Sequence, residues 1–198
     1  MTDPDDPIMA ATHRALCEHG YADLTMQDIA AEYEKTKSNL LYHYDTKEAL
    51  LVAFLDYLYD RYEAHVAGVD GEEPAAHLTA LADTVLPPAD ERSADYEDLL
   101  TAIMEIEAQA PYNEALRDRL HRFDDLLLDE VRETVAEGVE AGVFRSDADP
   151  EHTAQLFVTL VNGARTRYVT GGDSLATARD LIGRHVCDDL RVPQEGPA

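Results

Sequence analysis

Apolar residues recur along this chain at the spacing of successive helical turns, and no stretch of useful length alternates in the manner of a strand. Ile8, Ala11, Ala15 and Leu16 share one face and predict a helix from about Asp6 to His19, stopped by Gly20 as its C-terminal cap. Tyr21 and Leu24 pack the connection. Thr25 suits an N-cap, and Asp28 completes a capping box, so a second helix opens there with Met26, Ile29, Ala30 and Tyr33 on its apolar face. After a short turn at Glu34 and Lys35, Thr36 caps a third helix, Lys37 to about Tyr44, anchored by Leu40 and Leu41. Thr46 then caps a long amphipathic helix carrying Leu50, Leu51, Phe54, Leu55, Leu58, Tyr59 and Tyr62, which frays between Gly68 and Gly71.

The remainder reads the same way. Pro74 starts a helix to about Leu86, ended by Pro87 and Pro88. Ser93 caps a helix through Leu99, Ile103 and Ile106 that stops at Pro111. Asn113 begins the longest one, with Leu116, Leu120, Phe123, Leu127, Val131 and Val135 in register and Gly142 after it. Asp149 and Pro150 open a helix to about Val169, and Gly171-Gly172 separates it from a last helix, about Ser174 to Arg191. The pattern therefore predicts an all-α fold of nine helices. Residues 1–48 read as a helix-turn-helix domain with its motif at about 25–44, and residues 49–198 as a second, helical domain. The Asp149–Val169 helix is apolar on more than one face (Ala154, Leu156, Phe157, Val158, Leu160, Val161, Ala164), with Gly163 and Ala164 allowing close approach. With Leu175, Ala178, Leu181, Ile182, Val186 and Leu190 of the last helix, it predicts pairing between subunits.

Charge singles out one place in this pattern. The 198 residues carry a formal charge of −25, from 41 acids against 16 lysines and arginines. The three lysines, Lys35, Lys37 and Lys47, all sit in or beside the third helix, and no acid occurs from Lys35 to Tyr44. A generic helical bundle explains the apolar spacing but not this confinement of lysine. With apolar content at 45%, the chain can fold, and its dispersed acid reads as solubility in concentrated salt and hence a halophilic source. Cys17 and Cys187 lie far apart on apolar faces and read as small buried hydrophobes of a reducing compartment. The acidic first residues are no signal peptide, and no apolar run approaches the roughly 20 residues of a membrane span. A cytoplasmic protein is expected.

The third helix holds Thr, Ser, Asn, Tyr and His among its lysines, an inventory suited to phosphate oxygens and base edges. Thr25-Met26-Gln27-Asp28-Ile29-Ala30, followed by Leu40-Leu41-Tyr42-His43-Tyr44-Asp45-Thr46-Lys47-Glu48-Ala49-Leu50, resembles the DNA-binding signature of TetR/AcrR transcriptional regulators. Two departures stand out. Glu34 and Lys35 occupy the turn where a glycine and a hydrophobe are usual, and Leu41 takes the usual tyrosine position, with Tyr42 after it. The resemblance implies a homodimeric repressor bound to a double-stranded, palindromic DNA operator and released by an unknown small-molecule effector, with residues 49–198 as its ligand-binding and dimerisation domain. Candidate DNA-binding residues are Thr25, Thr36, Lys37, Ser38, Asn39, Tyr42, His43, Tyr44 and Lys47: Lys37, Ser38, Asn39, Tyr42 and His43 toward the major groove, Thr36, Tyr44 and Lys47 on phosphates. Candidate effector-lining residues are Tyr62, Met104, Tyr112, Phe123 and Asn162.

Other chemistry finds little footing. His121 follows Asp118 at a spacing metal sites use, but no second Glu-x-x-His accompanies it. No Ser-His-Asp ordering, phosphate loop or Cys pair is present, and Glu105 and Glu107 point to different helix sides, so no catalytic residue, metal or cofactor is expected. The alternatives to a ligand-released repressor are a ligand-independent architectural DNA-binding protein and, further off, a metal-binding or enzymatic bundle.

Overall fold

A computed structural model describes residues 6–33, 37–71, 73–172 and 174–192. Among them are the helices α1 (Pro7–Asp23), α2 (Met26–Glu32), α3 (Lys37–His43), α4 (Lys47–Ala67), α5 (Pro74–Val85), α6 (Ala94–Glu107), α7 (Glu114–Glu140), α8 (Pro150–Val169) and α9 (Leu175–Ile182). A six-residue π-helical stretch, Gly183–Asp188, continues α9. Among the described residues the sole strand-like feature is an isolated bridge between Phe144 and Arg191. The fold is all-α, with helix boundaries close to the sequence expectations.

The helix starts follow from the caps. Asp6 accepts from the Ile8 N–H at 2.8 Å, with Pro7 in the first turn. Ser93 accepts from Tyr96 N–H, Asn113 from Leu116 N–H and Asp149 from His152 N–H. Gly20 adopts φ 67°, ψ 172°, which interrupts α1 where the sequence places its stop; helical turns resume to Asp23. The last helix differs more: the π-helical stretch begins at Gly183, a widening of the turn that apolar periodicity alone does not signal.

The chain divides into two compact units. The first joins residues 1–64 to 92–123, and the second joins 65–91 to 124–198. The expected boundary at residue 48 thus falls inside the first unit, because α6 packs along α1 and completes its core: Ala102 and Ile106 are buried in one cluster with Ile8, Ala15, Leu16, Ile29, Leu40, Leu50 and Phe54. In the second unit, α5 and α8 pack against α9, burying Leu78, Leu81, Phe157, Val161, Ala178 and Ile182. Phe144 seats on Gly138, where an added Cβ would lie 2.2 Å from the ring. Arg165 and Arg179 donate to the Val85 and Leu86 carbonyls at the end of α5, positive charge on the negative end of a helix. No helix among the described residues is long and apolar enough to cross a membrane.

Candidate nucleic-acid interface

The short helix α3 is placed by what lies around it. Thr25 accepts from the Gln27 and Asp28 N–H groups, and Asp28 accepts in return from the Thr25 N–H at 2.9 Å and hydroxyl at 2.6 Å. Those bonds hold the Asp28 carboxyl below its ordinary pKa, so the reciprocal cap is complete at neutral pH and weakens only as acid protonates Asp28. Arg14 of α1 donates to the Glu32 carboxylate at 2.8 Å and to its backbone carbonyl at 2.7 Å, tying the end of α2 to α1 before the turn. Glu34, Lys35 and Thr36, the turn that departs from the family pattern, lie outside the described residues, as does the side chain of Lys37.

Leu40 is fully buried and anchors α3 to the core. Leu41 does not share that role. It is 38% exposed, because consecutive helical positions are turned by about 100° and the core accepts only one of the pair. Ser38, Tyr42 and His43 are exposed as expected, Tyr42 to 85%, and the Tyr42 and His43 rings meet edge to face at 5.4 Å. Asn39 is half-buried, and the Tyr33 hydroxyl donates to its Oδ1 at 3.1 Å, which orients the amide. Tyr44 is half-buried too, and burial raises its hydroxyl pKa, leaving a protonated donor at neutral pH. Lys47 reaches back to α1: its Nζ donates to the Tyr21 carbonyl at 3.0 Å and stands 4.6 Å from the Tyr21 ring centroid. An ammonium has three donors, so this bond leaves capacity for a phosphate.

The effector candidates separate. Tyr62 and Phe123 are brought together, ring centroids 5.5 Å apart, with Tyr59 also 5.5 Å from Phe123 and the Arg122 guanidinium 3.8 Å over Tyr59. Met104 is half-buried on α6. Tyr112 is 89% exposed in the turn before α7 and faces solvent, a placement at odds with a lining role, since Pro111 ends the apolar register there. Asn162, in the second unit, donates to Asp124 Oδ1 at 3.0 Å. Sequence reasoning missed Leu41, whose outward apolar surface belongs with the polar face of α3. It also missed the Lys47–Tyr21 bond, which joins residues distant in sequence. Among the described residues no cluster of three or more His, Cys, Asp or Glu could hold a metal ion.

Comparison with known proteins gives this geometry a context. Residues 8–54 match the family model for bacterial regulatory proteins of the tetR family, and residues 74–190 match the model for the C-terminal part of BetI-type transcriptional repressors. The chain is similar to the HTH-type transcriptional repressor AcnR of Corynebacterium diphtheriae, 24% identical over 181 residues, which covers 90% of this chain and 89% of that one. Its fold is similar to the crystal structure of a TetR transcription regulator from Haloarcula marismortui, with 40% identity, a TM-score of 0.86, and coverage of 97% of this chain and 100% of that one. A TetR transcriptional regulator from Chloroflexus aurantiacus shares the fold at 22% identity and a TM-score of 0.78, over 96% of this chain and 97% of that one.

Proposed function

Since the chain belongs to the TetR family of regulatory proteins and is a DNA-binding transcription regulator, we propose that it is a homodimeric, cytoplasmic repressor that grips a palindromic operator through α3 and lets go when a small molecule binds. The observation that carries this reading is the outward face of α3. In a chain of charge −25, every lysine lies in sequence within or beside a helix whose Ser38, Tyr42 and His43 face outward and whose Leu40, alone among its described side chains, is sunk in the core. Ser38, Asn39, Tyr42 and His43, with Lys37, are assigned to the major groove. Thr25, Thr36, Tyr44 and Lys47 are assigned to the flanking phosphates. Two copies related by a two-fold axis then read two half-sites.

Substitution separates the two kinds of contact. Asn39→Ala is expected to cost ~1–3 kcal/mol of operator binding and to relax base preference at one position. Lys47→Ala is expected to weaken all duplexes alike and to reduce the salt slope by about 0.9. Gel shifts at fixed salt against the selected operator and single-base variants check both, and wild-type affinity in the two variants removes α3 and its flank from the interface.

Release by an effector requires that the effector bind the DNA-incompetent arrangement more tightly than the competent one. Tyr62, Phe123 and Met104, all of the first unit, are retained as effector contacts; Tyr112 is not, given its exposure. Metabolites that raise the melting temperature are expected to include one that also displaces operator DNA, and Phe123→Ala is expected to weaken both effects together. Binders that all leave operator affinity unchanged favour a ligand-independent DNA-binding protein instead.

A further inference from the structure

We propose that Glu105 of α6 is a positioning residue for DNA binding: it holds Tyr21, and through Tyr21 the ammonium group of Lys47, so that the seating of α6 sets the affinity of the reading head. This rests on the reading of the chain as an operator-binding regulator. The contact is built by a backbone that only glycine adopts easily. Gly20 leaves the helical conformation at φ 67°, and the Tyr21 N–H that follows donates to Glu105 Oε2 at 2.5 Å across 84 residues of sequence. A Cβ at Gly20 would stand 2.9 Å from that same oxygen, so the missing side chain makes room for the carboxylate.

Tyr21 is held from its other side as well. Its carbonyl accepts from Lys47 Nζ at 3.0 Å, and its ring lies under the same ammonium at 4.6 Å. Burial raises the Tyr21 hydroxyl pKa, with Glu48 adding to the shift, so the phenol stays neutral beside the ammonium. One residue of α1 therefore links the α6 carboxylate to a lysine at the start of α4. Ile106, next to Glu105, is buried in the cluster that contains Ala11, Ala15 and Leu16 of α1, so α6 cannot slide without disturbing that packing. A shift of α6 by about 1 Å takes the Tyr21–Glu105 bond out of range and leaves the amide without its carboxylate. The carbonyl that anchors Lys47 then moves with it. By linkage, whatever reseats α6 is felt at the phosphates that Lys47 contacts, and operator binding in turn favours the seated α6.

The test uses the full chain and a duplex recovered by selection from randomised DNA, with affinity read by fluorescence anisotropy across a salt series. Glu105→Ala is expected to weaken binding roughly tenfold. It should also lower the salt slope by about 0.9, as Lys47→Ala does. Added to Lys47→Ala, it is expected to cost nothing more. Glu105→Gln keeps an acceptor without the charge and is expected to lose about threefold, again only when Lys47 is present. Circular dichroism melts accompany each variant, and the glutamine variant carries the comparison if the alanine variant unfolds. Losses equal with and without Lys47, or no loss in a folded variant, overturn the proposal while the operator reading stands. A wild-type chain that selects no duplex overturns the operator reading itself.

Discussion

Leu160→Glu is expected to give a folded monomer that has lost most of its operator affinity, whereas Ile182→Glu is expected not to fold. The two leucine-sized side chains sit on the helices assigned to subunit pairing, but the structure gives them different surroundings. Ile182 is fully buried within its own unit, so a carboxylate there has no water and no partner, and it tests folding rather than association. The expectation that the faces of α8 and α9 exceed what one subunit buries is therefore narrowed. Ala154, Phe157, Val158, Val161 and Ala164 are all buried within the chain, as are Leu175, Ala178 and Ile182. Leu156 and Leu160 of α8 and Leu181 of α9 are left half-buried, and Gly163 is exposed, with nothing within 4 Å of an added Cβ. We propose this remaining strip as the pairing surface. A monomer must find two half-sites independently, so it forfeits the effective concentration that linkage provides, worth about 10²–10⁴ in overall affinity. Light scattering at micromolar concentration, with circular dichroism to show an intact fold, decides it. A wild-type monomer, or a Leu160→Glu dimer, removes α8 from the interface.

The contrast between Leu160 and Ile182 shows what the sequence makes legible. Caps are local, so Thr25, Thr46, Ser93 and Asp149 could be read from residue type and spacing, and the structure has each accepting the N–H expected of a cap; Asp6 and Asn113, where the sequence only begins helices, cap in the same way. Apolar period is local too, and it located α1 to α8 closely. Which apolar residue faces the chain's own core depends on partners far away in sequence. That is why Leu41 looked like an anchor beside Leu40 and proved exposed, and why α8 looked more unpartnered than it is. The face of α3 proposed to meet DNA stands out in the sequence because it depends on composition: lysine confined to one window of an acidic chain is visible without any fold. The Glu105–Tyr21–Lys47 chain was not. Glu105 drew notice only as a neighbour of Glu107, and nothing in local spacing points it toward a backbone amide next to Gly20.

Operator affinity is expected to hold or improve from dilute buffer to molar salt, and then to fall with a shallow slope. DNA binding through lysine–phosphate contacts ordinarily weakens steeply with salt, with a logarithmic slope of about −0.9 per neutralised phosphate. Two features of this chain oppose that trend. Its reading head offers few cations, Lys35, Lys37 and Lys47, and Lys47 already shares its ammonium with the Tyr21 carbonyl and ring. The chain as a whole carries a net −25, and its acidic body repels the DNA polyanion. That repulsion acts at long range, and it is least screened in dilute buffer; the screening length shrinks from about 30 Å at 0.01 M to about 3 Å at 1 M. Salt therefore removes the unfavourable long-range term first. Contacts that do not depend on net charge, from Ser38, Asn39, Tyr42 and the exposed Leu41, persist through the same range. Self-repulsion among the acids also relaxes, which favours the compact state. Fluorescence anisotropy across the salt series, with circular dichroism alongside to separate folding from binding, tests this. A steep monotonic loss from low salt with the fold intact throughout means that the lysines dominate and the acidic body is a bystander. A rise that tracks the recovery of helicity alone assigns the effect to folding.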